Sequence, residues 1–136
     1  SALQSAIIEP DMFKCAIGLM GVYDLPLMYE EGDTQARSYG VNYLKTVIGT
    51  DEAELKAFSP AYNVDKLKAP VLIVHGGEDE RAPIEQAESL EAALKKAKHP
   101  YEITILDDEG HGFYKEEHRT LYYKKVLAFL EDHLKL

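Results

Sequence analysis

Apolar positions fall in blocks along the chain, and three of the blocks are too short and too continuous for amphipathic helices. "CAIGLMG" (15–21) and "VLIVHG" (71–76) are apolar at successive positions, the pattern of parallel strands covered on both faces. "YEITILD" (101–107), rich in β-branched and aromatic residues, runs into an acidic loop and reads as a third strand. After the second strand the spacing becomes helical: Ile84, Ala87, Leu90, Leu94 and Ala97 form one stripe. Pro83 stands at a first-turn position, Glu85 and Glu88 come early, and Lys95, Lys96 and Lys98 come late, as a helix dipole prefers. Tyr122, Val126, Phe129, Leu130 and Leu134 mark a terminal amphipathic helix. Residues 24–67 form a Tyr-rich, mostly helical insertion between the first two strands, closed by "SPAYNVDKLKAP".

Strand and helix in alternation predict an α/β arrangement of three parallel strands with flanking helices. Ligand sites in such sheets lie at the carboxyl ends of the strands. Two chemically rich loops fall there, "HGGEDERAP" after the second strand and "DDEGHGF" after the third. In the first, Gly76 and Gly77 let the chain turn off the strand, and Asp79 follows just ahead of the helix. In the second, Gly110 and Gly112 flank His111 and free the backbone to present its imidazole. An acid and then a histidine on consecutive strand ends fits the Ser…Asp…His order of α/β-hydrolases. A carboxylate accepting from one ring nitrogen fixes the tautomer, and the other nitrogen can take a proton from a nucleophile.

Composition narrows the partners. At 136 residues, 46% hydrophobic and 29% charged, the chain reads as one globular domain. A net charge of −9 and no basic run longer than two residues argue against nucleic acid or an anionic membrane. No apolar run reaches the roughly 18–20 residues of a membrane helix. Cys15 is the single cysteine, so no internal disulfide forms, and inside an apolar strand its thiol reads as packing. A metal held by Asp107, Asp108, Glu109 and His111 would need adjacent residues of one loop to converge. No metal or cofactor is expected.

A nucleophile is harder to find. "ARSYG" (36–40) imitates a nucleophile elbow around Ser38, but Ala36 replaces the first glycine and "YEEGDTQ" ahead of it is no strand. Ser1, Ser5, Ser59 and Ser89 lack even that much. Among the other titratable groups, Glu78 and Glu80 read as solvent-facing, His75 as structural, and His99, His118 and His133 as surface or helix-end residues. Asp79 has a competing reading as a helix-entry cap. Tyr23, Tyr29, Tyr39 and Tyr43 fit either a substrate pocket or the edge of the core.

Together the segments "SPAYNVDKLKAPVLIVHGGEDERAPIEQAESLEAAL" and "DDEGHGF" with the terminal helix resemble the C-terminal half of the α/β-hydrolase domain in prolyl oligopeptidase-family serine peptidases. The likeness is greatest to the acylaminoacyl-peptidase and dipeptidyl-peptidase branch. Its anchors are HGxxDxRxP and GHGF, with Ala82 where the family usually has valine. The resemblance implies Asp79 as triad acid, His111 as general base, Arg81 as a donor to the substrate's backbone carbonyl, and short peptides as substrates. It also implies that residues 1–136 are a partial domain, truncated just after the nucleophile elbow, with "SALQSAII" continuing from the elbow helix. The serine would then lie upstream, and the chain alone would be inactive. Two rivals stand beside this reading: an esterase or lipase of the same fold, and a non-catalytic association module. A first strand without its upstream neighbour would leave an open edge, so self-association through Cys15–Gly21 is expected.

Overall fold

The computed structural model of the chain describes residues 2–135; Ser1 lies outside them. Helix α1 (Ala2–Ile8) leads into strand β1 (Ala16–Leu19), followed by helices α2 (Ser38–Val47) and α3 (Glu52–Ala57) and strand β2 (Val71–Gly76). Helix α4 (Ile84–Ala97), strand β3 (Tyr101–Leu106) and helix α5 (Glu116–Leu134) complete the order, with short 3₁₀ turns at Pro26–Tyr29, Pro60–Tyr62 and Val64–Lys66. The strands form one parallel sheet in the order β1-β2-β3, as the apolar blocks predict. No helix among the described residues is long and apolar enough to cross a membrane.

The continuous run of β2 has a direct physical cause. Side chains alternate across a sheet, and both faces of the central strand are covered. Val71 and Ile73 pack with Leu3, Ala6 and Ile7 of α1 and with Ala87, Leu90 and Leu94 of α4. Leu72 and Val74 face the other way, against Phe129 with Tyr122 and Val126 of α5. Burying one such side chain contributes about 1.5–3 kcal/mol, so this sandwich fixes where the two strand-end loops emerge.

Three details depart from expectation. Strand β1 stops at Leu19: Met20 N–H still donates to the Val74 carbonyl at 2.9 Å, but Met20 takes a left-handed conformation, φ 44°, which turns the chain off the sheet. Pro83 is the residue before α4, in extended conformation at ψ 155°. Ala97, the last residue of the α4 stripe, is exposed; the helix ends there, with left-handed Lys98 donating its N–H to Leu94 and Lys95 carbonyls.

Candidate active site

The parallel register sets Gly76 beside Leu106, so β2 and β3 end level and release their loops side by side. Gly77 N–H still donates to the Leu106 carbonyl at 2.8 Å, and Glu78 N–H donates to the Glu109 carbonyl at 3.0 Å. The glycines serve this approach and not a left-handed turn, since neither Gly76 nor Gly77 has positive φ. A Cβ on Gly76 would stand 2.3 Å from the Gly110 carbonyl oxygen and 2.4 Å from that of Glu109, well inside contact distance. Only a residue without a side chain lets the two loops touch.

Asp79 lies in this junction with its side chain 0% exposed, and its two oxygens have separate duties. Oδ1 accepts from Arg81 N–H at 2.9 Å and Ala82 N–H at 2.8 Å, folding the loop around the carboxylate in an Asx-type turn. Oδ2 faces His111 Nδ1 at 2.8 Å. The cap reading therefore describes one oxygen only, and the hydrogen bonds go to the loop's own backbone. His111 keeps 49% of its side chain exposed, and among the described residues no group bonds its Nε2. A carboxylate acceptor puts the Nδ1 proton between the pair and leaves Nε2 to act as base toward anything that approaches.

Around the pair, the other sequence candidates separate. Glu78 and Glu80 are exposed. His75 is fully buried, and its Nε2–H donates to the Ala82 carbonyl at 2.7 Å, which braces the turn that holds Asp79. Arg81 is exposed, and Asp33 from the insertion holds its guanidinium through Nε and Nη2, both at 2.9 Å. Asp33 in turn donates its N–H to the Glu80 carbonyl at 2.8 Å. Asp33, Arg81, Gly110 and His111 line a recess of about 450 Å³. A wider cleft of about 1310 Å³ beside it is bounded by Asp79, Arg81, Arg37, Tyr39 and Tyr43.

The tyrosines divide accordingly. Tyr39 and Tyr43 are exposed on the cleft, Tyr23 is core, with its phenol pushed up to about 12 by burial, and Tyr29 donates to the Gly49 carbonyl at 2.5 Å. Ser38 is exposed at the start of α2, after an extended Arg37 and a stretch of turns. It lacks the strand an elbow requires. Cys15 is half-buried just outside β1, against the α5 face of the core, and burial pushes its thiol up.

Sequence reasoning missed a second layer. Glu109, read there only as part of a possible metal cluster, is buried and bonded to Tyr114 N–H, Lys115 N–H and His118. His118 is only 18% exposed, so it is no simple surface residue. Gln86 is fully buried, accepts from Tyr23 N–H at 2.9 Å and Asp24 N–H at 2.8 Å, and donates to the Asp24 carbonyl at 2.8 Å. It thereby pins the start of the insertion to the first turn of α4.

The family model described as "Prolyl oligopeptidase family" matches residues 2–136. The chain belongs to this family of serine peptidases. Dipeptidyl peptidase family member 6 of Caenorhabditis elegans is 24% identical over 136 residues, covering 96% of this chain and 18% of that protein. An acylaminoacyl peptidase of Pyrococcus horikoshii superposes with a TM-score of 0.85 at 28% identity, over 97% of this chain and 22% of that one. A puromycin-hydrolyzing peptidase of Mycobacterium tuberculosis gives 0.84 at 30% identity, over 96% and 20%. The fold is that of α/β-hydrolase peptidases, and the chain spans about a fifth of the length of these relatives.

Proposed function

We propose that Asp79 and His111 are the acid and base of a Ser–His–Asp peptidase whose serine lies outside these 136 residues, in an upstream nucleophile elbow. The observation that carries the reading is the 2.8 Å contact between His111 Nδ1 and a buried Asp79 oxygen, with Nε2 open. In the reaction His111 Nε2 takes the proton of the attacking serine, and Asp79 holds the ring and stabilises the imidazolium. The same nitrogen then returns the proton to the leaving amine. Backbone N–H groups of the upstream segment stabilise the oxyanion. Short peptides are the substrate class, and Arg81, once released by Asp33, donates to a substrate carbonyl through its planar fork.

The 136-residue chain alone holds a base and an acid without a nucleophile, and so does not run acyl transfer. Two measurements test this. The isolated chain should neither hydrolyse aminoacyl anilides nor react with a fluorophosphonate, whereas a longer protein carrying this segment after a G-x-S-x-G elbow should do both. In that longer protein His111→Asn should lower kcat by about 10³–10⁶-fold. Turnover by the chain alone, or a longer protein indifferent to His111→Asn, overturns the reading. Preference for simple esters over aminoacyl amides would instead mark an esterase of the same fold.

A further inference from the structure

One residue joins the loop of the acid, the loop of the base and the last helix, and it is neither Asp79 nor His111. Glu109 stands two places before His111 and is only 3% exposed. Its N–H donates to the Leu106 carbonyl at the end of β3 at 3.1 Å, and its carbonyl accepts from Glu78 N–H, next to Asp79, at 3.0 Å. Its side chain reaches across its own loop, where Oε2 accepts from Tyr114 N–H at 3.1 Å and Oε1 from Lys115 N–H at 3.0 Å. His118, in the first turn of α5, places Nδ1 2.9 Å from Oε1.

We propose that Glu109 is the positioning residue of the histidine loop, with His118 as its partner; the proposal rests on the acid–base reading of Asp79 and His111. His111 is half-exposed, so little packing holds its ring from outside. Its place is set by closure of the segment 109–115, in which the Glu109 carboxylate takes two backbone N–H groups from inside while Arg119 donates to the Phe113 and Tyr114 carbonyls from the exposed side. Hydrogen bonds to a charged acceptor are roughly twice as strong as neutral ones, and a negative group is favoured at the N-terminus of α5. The other charged groups nearby leave Glu109 its donors. Asp108 is held by the Lys115 ammonium and lies 3.7 Å from His118 Nε2. Glu109 touches no reacting atom. It acts by keeping His111 Nδ1 within bonding distance of Asp79, and a displacement of about 1 Å breaks that bond.

The test reads the ring itself. Nitrogen-15 shifts of the His111 imidazole at about pH 9, above the ordinary histidine range, report which nitrogen carries the proton, with His111→Asn assigning the signals. Wild type should be the Nδ1–H tautomer. Glu109→Ala should move the ratio toward Nε2–H by about tenfold, the equivalent of one lost hydrogen bond, with the sheet amides of β2 and β3 in place. His118→Gln should move it by about threefold, and it carries the test if Glu109→Ala does not fold. A wild-type Nδ1–H tautomer that neither substitution changes overturns the positioning role and leaves the acid–base pair standing. A wild type already in the Nε2–H form overturns the pair, and this proposal with it.

Discussion

Asp79 offers the sharpest perturbation because its two oxygens do different things. In Asp79→Asn the amide oxygen can stay on Arg81 N–H and Ala82 N–H, which turns the amide nitrogen toward His111 Nδ1. Two donors cannot share that contact, so Nδ1 must become the acceptor and the proton moves to Nε2. The loop bonds weaken from charge-assisted to neutral, and the burial cost of a carboxylate disappears. These effects oppose one another, and the net loss should be about 1 kcal/mol. Asp79→Ala removes the acceptor altogether. It leaves the buried Ala82 N–H without a partner, at about 1–3 kcal/mol, and strands the part-buried Arg81 N–H as well. The alanine variant should lose about 3 kcal/mol. Urea unfolding with linear extrapolation measures both variants, and nitrogen-15 shifts of His111 read the tautomer. In an active protein containing the segment, the asparagine variant should also lose about 10⁴-fold in kcat. Equal stability losses for the two variants would refute the division of labour between the oxygens. So would a His111 that keeps its Nδ1 proton opposite asparagine.

Other parts of the structure make separate predictions. Gln86→Leu strips three buried backbone groups of their partner, so stability should fall by about 3 kcal/mol or more and Tm by about 10 °C or more; a loss below about 1 kcal/mol refutes the clamp. Gly76→Ala drives a methyl into the Glu109 and Gly110 carbonyls, whereas Gly110→Ala meets only the Glu78 oxygen at 3.7 Å. Hydrogen exchange at the Glu78 amide should accelerate in the first variant and not in the second. Lys115 N–H first, then Tyr114 N–H and His118, hold the Glu109 carboxyl below its ordinary range against the opposing effect of burial. A depressed carboxyl contributes stability that is present above its ordinary value of about 4.3 and lost as pH falls below it. Glu109→Gln should therefore flatten acid unfolding below about pH 4.3, as followed by circular dichroism. Finally, β1 is an edge strand among the described residues, and we propose that copies of the chain associate along it; a mass independent of concentration in light scattering refutes that.

What could be read from the sequence follows from the range of the interactions involved. The apolar run of β2 and the stripe of α4 are local patterns; the run is buried throughout, and the stripe is buried at Ala87, Leu90 and Leu94 but not at Ala97. The meeting of Asp79 with His111 is legible for a related reason: parallel strands in sequential order bring successive strand ends together, so their two loops lie side by side. Gln86 was not legible, because its partners lie 62 and 63 positions away and nothing in "PIEQAES" distinguishes a buried glutamine from a solvated one.

The loop after β3 shows the limit most clearly, since it offers three acids in a row with three different fates. Asp107 is exposed, Asp108 is exposed and paired with the Lys115 ammonium, and Glu109 is buried. Charge cannot tell them apart; phase can. Leu106 is the last inward residue of β3, and the Glu109 N–H closes a turn back onto its carbonyl, so the third acid returns to the protein side while the first two stay outside. The longer side chain then spans to Tyr114 and Lys115. The position that needs a carboxylate is thus fixed by where the strand stops. Moving the end of β3 by one residue would bring Asp108 inward, and its shorter side chain would reach less far across the loop that carries His111.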